Sequence, residues 1–156
     1  TKDLYFMDFP SREAAPSSLP EEIKLSLNIK PIEVYKSRDY LLIYDNQFDV
    51  ENISIDRHYF DKINLGYGGV IVSSIGDLTD FVSRFFTPQA SILEDPVTGS
   101  AHCTLIPYWS SKLKKDTMNA VQLSKRGGHI KCQNQNDRVI IGGKAILYSH
   151  GQIHLF

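Results

Sequence analysis

Glu94-Asp95-Pro96-Val97-Thr98-Gly99-Ser100-Ala101-His102-Cys103 places a carboxylate, a hydroxyl and the start of a helix within one short run. Thr98 is of the type that caps a helix, and Gly99 lets a ligand come close to the backbone. The first amides of a helix have no intrahelical partners and share the positive end of its dipole, so they bind carboxylate or phosphate. Ser100 would add its hydroxyl there. Asp95, held extended by Pro96, would set a carboxylate beside the same spot. An anion cradle next to a carboxylate is what proton transfer beside a substrate carboxylate requires.

Read one at a time, the same residues are ordinary helix-capping types. Glu94 is suited to holding a turn, His102 to a hydrogen-bonded place in the core, and Tyr108 and Trp109 to the core as aromatics. Serine-hydrolase chemistry at Ser100 is disfavoured. The Gly-x-Ser-x-Gly elbow is missing, and Ser100 and His102 do not face each other on a helix.

The element that must position this run is the helix that follows it. From Ala101 to Trp109 its apolar side chains point in every direction, so the helix is expected to be buried and wrapped by strands. Lys112, Lys114 and Lys115 gather at its far end, where the dipole favours cations. Pro107 removes a hydrogen bond from the helix interior and predicts a kink or a local break.

Strands are expected at Leu4–Met7, ending at Asp8-Phe9-Pro10, and at 32–36 and 40–44 as a hairpin around Ser37-Arg38-Asp39. Gly68–Ser74 reads as a strand buried on both faces. Further strands are expected at 81–86, 121–124, 129–132, 138–141 and 145–148, with turns at 126–128, 134–137, Gly142-Gly143 and His150-Gly151. Ser11–Ser18 reads as a connection. Short helices are expected at 20–27, with proline in its first turn, and at 57–63. The fold class is therefore α+β: a curled, mostly antiparallel sheet or partial barrel around a central buried helix.

The 156 residues suit a single domain, 42% hydrophobic and 22% charged, with a formal net charge of −1. Without a Lys/Arg run, nucleic acid is not an expected partner. No stretch is long and apolar enough to cross a bilayer as a helix, so no membrane partner is expected. Cys103 and Cys132 lack metal-ligand spacing and read as buried thiols, which fits a cytoplasmic location and no metal site. Thr1 opens close to a strand without a signal-peptide layout, and an earlier portion of the protein is expected to precede it.

The run 94–103, followed by Pro107-Tyr108-Trp109, resembles the signature of the phenazine-biosynthesis (PhzF-like) isomerase family. Phe81–Phe86 before it, and Ser124–Gly128 and Val139–Ala145 after it, are similar to the family's flanking strands. Asp3–Pro10 is similar to the element that opens its second domain. The resemblance covers essentially all of residues 1–156, as the C-terminal half of a two-domain, diaminopimelate-epimerase-like protein. It implies a cofactor-free isomerisation that moves a proton on a small carboxylate substrate. Asp95 and Ser100 match its active-site residues, and Thr98 and Gly99 match its substrate-contacting loop. Thr98, Gly99 and Ala101 are thus the candidate substrate-binding residues.

The family's principal acid/base glutamate and its partner histidine belong to the first domain, which nothing here matches, and Glu94 already occupies another motif position. The expectation is a half-site completed by the missing N-terminal domain or a second chain; alternatively, two copies meet as a homodimer and do something else. The competing reading is a non-catalytic binding or assembly module that uses its exposed cleft face.

Overall fold

The computed structural model describes residues 4–153. Its strands are β1 (Leu4–Pro10), β2 (Ala15–Pro16), β3 (Glu33–Lys36), β4 (Tyr40–Ile43), β5 (Val70–Ile75), β6 (Phe81–Phe86), β7 (Thr117–Gln122), β8 (Gly128–Gln135) and β9 (Arg138–Lys144). The helices are α1 (Glu21–Ser26), α2 (Gln47–Glu51), α3 (Arg57–Phe60) and α4 (Gly99–Leu113). The strands form one open mixed sheet in the order β1-β9-β8-β7-β6-β5-β4-β3-β2. Only β4–β5 and β6–β7 are parallel, and the other neighbours are antiparallel. Parallel neighbours need crossovers. The segment containing α2 and α3 makes the first, and the segment containing α4 makes the second.

The two crossovers explain why the central strands are apolar on both sides. Leu42, Val70, Val72, Val82 and Phe86 join one hydrophobic cluster with Ile23 of α1, Val50 of α2 and Phe60 of α3. Leu41, Ile71, Phe81, Met118, Ile130 and Ile141 join a second cluster with Ala101, Leu105, Ile106 and Trp109 of α4. Each side chain of Leu, Ile or Phe size removed from water contributes about 1.5–3 kcal/mol. α4 thus shares its cluster with strands β4 through β9, and eight of its residues are buried.

Of the kink or local break expected at Pro107, the break does not occur: the proline lies inside α4 and the helix runs through it. A helical proline leaves the carbonyl four residues earlier without its donor, here that of Cys103. The Arg12 backbone N–H, arriving just after β1, donates to that carbonyl at 2.9 Å. The tertiary bond replaces the intrahelical one.

Two other expectations fail near the end of the described chain. Gly142-Gly143 is not a turn but part of β9, paired with Phe6 and Tyr5 of β1. A Cβ on Gly142 would lie 2.5 Å from the Phe6 ring, so the missing side chain makes room for an aromatic across the strands. Residues 145–148 form no strand; Ile146, Leu147 and Tyr148 are exposed, because β9 already pairs on both sides with β1 and β8. The other elements differ mainly in their bounds. β7 begins at Thr117, and the β8–β9 turn tightens to Asn136-Asp137, with Asn136 at φ 62°. The short α2 and β2 were not expected. Residues 1–3, including the Asp3 used in the resemblance, lie outside the described residues.

Replacing a proline in a helix interior ordinarily recovers about 3 kcal/mol. With the Cys103 carbonyl already satisfied, Pro107→Ala is expected to change unfolding stability by no more than about 1 kcal/mol. Urea denaturation measures this, and a gain near the full ordinary value would show that the Arg12 bond does not compensate.

Candidate functional site

Residues 94–98 are held from three sides. Glu94 pairs with Phe86 in an isolated bridge, and the Asp95 N–H donates to the Phe85 carbonyl at 3.0 Å, which ties the loop to the end of β6. The Glu94 carboxylate accepts two bonds from Arg84, at 2.7 and 3.0 Å. Arg84 also donates to the carbonyls of Val50, Glu51 and Ile53 where α2 ends. Glu94 is therefore a strut, as its turn-holding reading anticipated.

The third support is Gln122, fully buried at the end of β7. Its Oε1 accepts the Thr98 N–H at 2.8 Å, and its Nε2 donates to the Asp95 carbonyl at 2.7 Å. The two backbone partners fix which end of the amide is which. Nε2 also donates to Thr98 Oγ1 at 3.2 Å, and the Thr98 hydroxyl in turn donates to Asp95 Oδ2 at 2.6 Å. Sequence reasoning missed Gln122 as a site residue. Its signal was a polar side chain in phase with Met118 and Ala120 on the inward face of a strand.

Thr98 occupies the N-cap position of α4, as expected, but makes no side-chain cap bond. Its hydroxyl is used by Asp95, its N–H by Gln122, and its carbonyl accepts from His102 Nδ1 at 2.8 Å. Thr98 thus has no donor left for a ligand. The amides of Gly99, Ser100 and Ala101 begin the helix and have no other partner among the described residues. The expected side-chain cap is absent, and this leaves the amide cradle uncovered.

Gly99 borders open space: a Cβ there would meet no atom within 4 Å. It lines a cavity of about 940 Å³ bounded by Val97, the Arg126–Gly128 turn, and residues of β8, β9 and β1. Asp95 and Ser100 are half-buried, whereas Ala101 is buried. Ser100 has a partner that sequence reasoning did not foresee. Arg38 Nη2 donates to Ser100 Oγ at 2.8 Å from a turn 62 positions away.

His102 is fully buried, and its Nδ1, opposite a carbonyl, carries the proton. Burial lowers its pKa and outweighs the opposing bond to Thr98, so it belongs to the core. Burial also pushes the Cys132 thiol up to about 12 and raises that of Cys103. Neither thiol is poised to ionise. No cluster of His, Cys, Asp and Glu suited to a metal occurs among the described residues, and none of their helices is long and apolar enough to cross a membrane.

An α+β domain of this kind is found in known structures. A PhzF-family phenazine biosynthesis protein from Enterococcus faecalis is similar with a TM-score of 0.88 at 40% identity, covering 99% of this chain and 59% of that one. Two proteins of Pseudomonas aeruginosa, named as uncharacterized isomerases, are 39% and 41% identical over 98% and 96% of this chain. The family described as phenazine biosynthesis-like protein matches residues 8–151, and the chain belongs to that family. It spans 58% and 57% of the length of the two Pseudomonas relatives.

Gln122→Leu would strip partners from the buried Thr98 N–H and Asp95 carbonyl. At about 1–3 kcal/mol for each unsatisfied group, a loss of several kcal/mol is expected in denaturant unfolding. A loss under about 1 kcal/mol would show that the clamp is dispensable.

His102 carries a pH consequence. The unfolded chain takes up a proton near the ordinary histidine pKa of 6.5, while the folded form resists it. Stability is full above that pH and falls as pH drops through it. His102→Gln removes this dependence. The stability of the wild type relative to the variant should therefore decline between about pH 7.5 and 5.5. A constant difference across that range would contradict it.

Proposed function

We propose that the chain supplies one face of the active site of a cofactor-independent isomerase that moves a proton on a small carboxylate substrate. Asp95 serves as the proton-transfer group. The amides of Gly99 and Ala101, with the Ser100 hydroxyl, hold the substrate's carboxylate, and Thr98 keeps Asp95 in place. The observation that carries this reading is the uncapped first turn of α4, open at Gly99 beside a roomy cavity, with Asp95 bonded to the Thr98 hydroxyl at its N-cap. The isomerase names of the Pseudomonas relatives support the reaction class.

The remaining acid/base group comes, in this proposal, from an N-terminal domain or a second chain. Glu94 is committed to Arg84, which supports that division. On the same reading, residues 1–156 act as one domain in the cytoplasm, with the sheet curling around α4 as a partial barrel. The cluster that α4 shares with six strands supports the curl. A second reading, an assembly module, draws on the exposed Tyr5, Phe6 and Met7 of edge strand β1.

Benzoate and succinate serve as carboxylate probes, followed by backbone-amide NMR. Both should shift the amides of Gly99, Ser100 and Ala101 first. Asp95→Asn should leave benzoate binding within about threefold but lower kcat/KM of the assembled enzyme by about 10²–10⁴. Ser100→Ala should weaken benzoate about tenfold, the loss of one hydrogen bond to a charged group. Unmoved amides at both probes would favour the assembly module instead.

A further inference from the structure

We propose that Arg38 is a positioning residue that fixes Ser100 as a hydrogen-bond donor to the bound carboxylate; this rests on the site reading above. A guanidinium can only donate, so Ser100 Oγ must accept from Arg38 Nη2. The single proton of Ser100 is then left pointing elsewhere. No acceptor takes it among the described residues, and it is directed to the ligand.

Arg38 is held to this task. Its Nε and Nη2 donate to Asp39 at 2.8–3.2 Å, and Asp39 is fully buried. Asp39 Oδ1 also accepts the Gly69 N–H at 2.8 Å, immediately before β5. The chain of bonds therefore runs from Gly69 through Asp39 and Arg38 to Ser100. Val70 pairs with Phe86, while Asp95 hangs from the Phe85 carbonyl. Both Asp95 and Ser100 are thus anchored to the same end of the β5–β6 pair. An arginine serving only to neutralise Asp39 would not need to reach the first turn of α4.

The polarity is also selective. Amides, an outward-facing hydroxyl proton and a cation all demand a ligand oxygen that accepts.

The test is the penalty of Ser100→Ala on benzoate affinity in three backgrounds: wild type, Arg38→Lys, and the pair Arg38→Gln with Asp39→Asn. The paired change avoids leaving a buried carboxylate without its cation. A lysine keeps the charge but cannot bridge Asp39 and Ser100 in the same planar geometry. Cooperative thermal unfolding verifies each background. The penalty should be about tenfold in the wild type and under about threefold in the other two, because the coupled contribution has already been lost. An undiminished penalty in either folded background overturns the role of Arg38 while leaving the site reading intact. Benzoate that fails to bind the wild type overturns the site reading, and this inference with it.

Discussion

A buried primary amide governs the site. Gln122 satisfies the backbone on both sides of the 95–98 loop and leaves Thr98 Oγ1 as the acceptor of one bond and the donor of the next. Because that hydroxyl is spent on Asp95, the first turn of α4 has no side-chain cap. Leaving helix amides open ordinarily costs about 0.5–2 kcal/mol relative to a good cap. The burial of α4 among six strands offsets such a loss many times over. The packing of the helix body permits its end to remain uncapped.

Around that end, the charged groups divide the work. Arg84 and Glu94 form a half-buried pair that ties the loop to the end of α2. Arg38 and Asp39 form a second pair whose carboxylate is fully buried and whose cation faces α4. Pairs this shielded are sensitive to the loss of one partner, unlike exposed surface pairs such as Lys24–Glu21. These two pairs therefore brace the segments that carry Asp95 and Ser100.

Much of this was legible in the residues themselves. Apolar side chains on every face of 101–109 marked α4 as buried, and strong β-formers marked β3 through β6, because burial and local propensity act over a few neighbouring positions. What escaped depends on distance along the chain. Arg38 meets Ser100 across 62 residues, and Gln122 meets Thr98 across 24, so neither partnership leaves a local trace. Gly142-Gly143 looked like turn chemistry because the Phe6 ring that needs its space lies near the opposite end of the described chain. Pro107 suggested a kink or a local break, and the break is absent because of a remote donor, Arg12.

The pairing of β1 with β9 has a kinetic corollary. Asp8 and Arg138 are joined across 130 positions, so a strand synthesised early must wait for one synthesised late. Until then Tyr5, Phe6 and Met7 have no hydrogen-bonded neighbour, and the Cys103 carbonyl depends on a segment not yet anchored. Closure of so long a loop delays collapse to the native state, as in other proteins dominated by non-local pairing. On the ribosome, α4 would be fully secured only after β1 and β9 have paired.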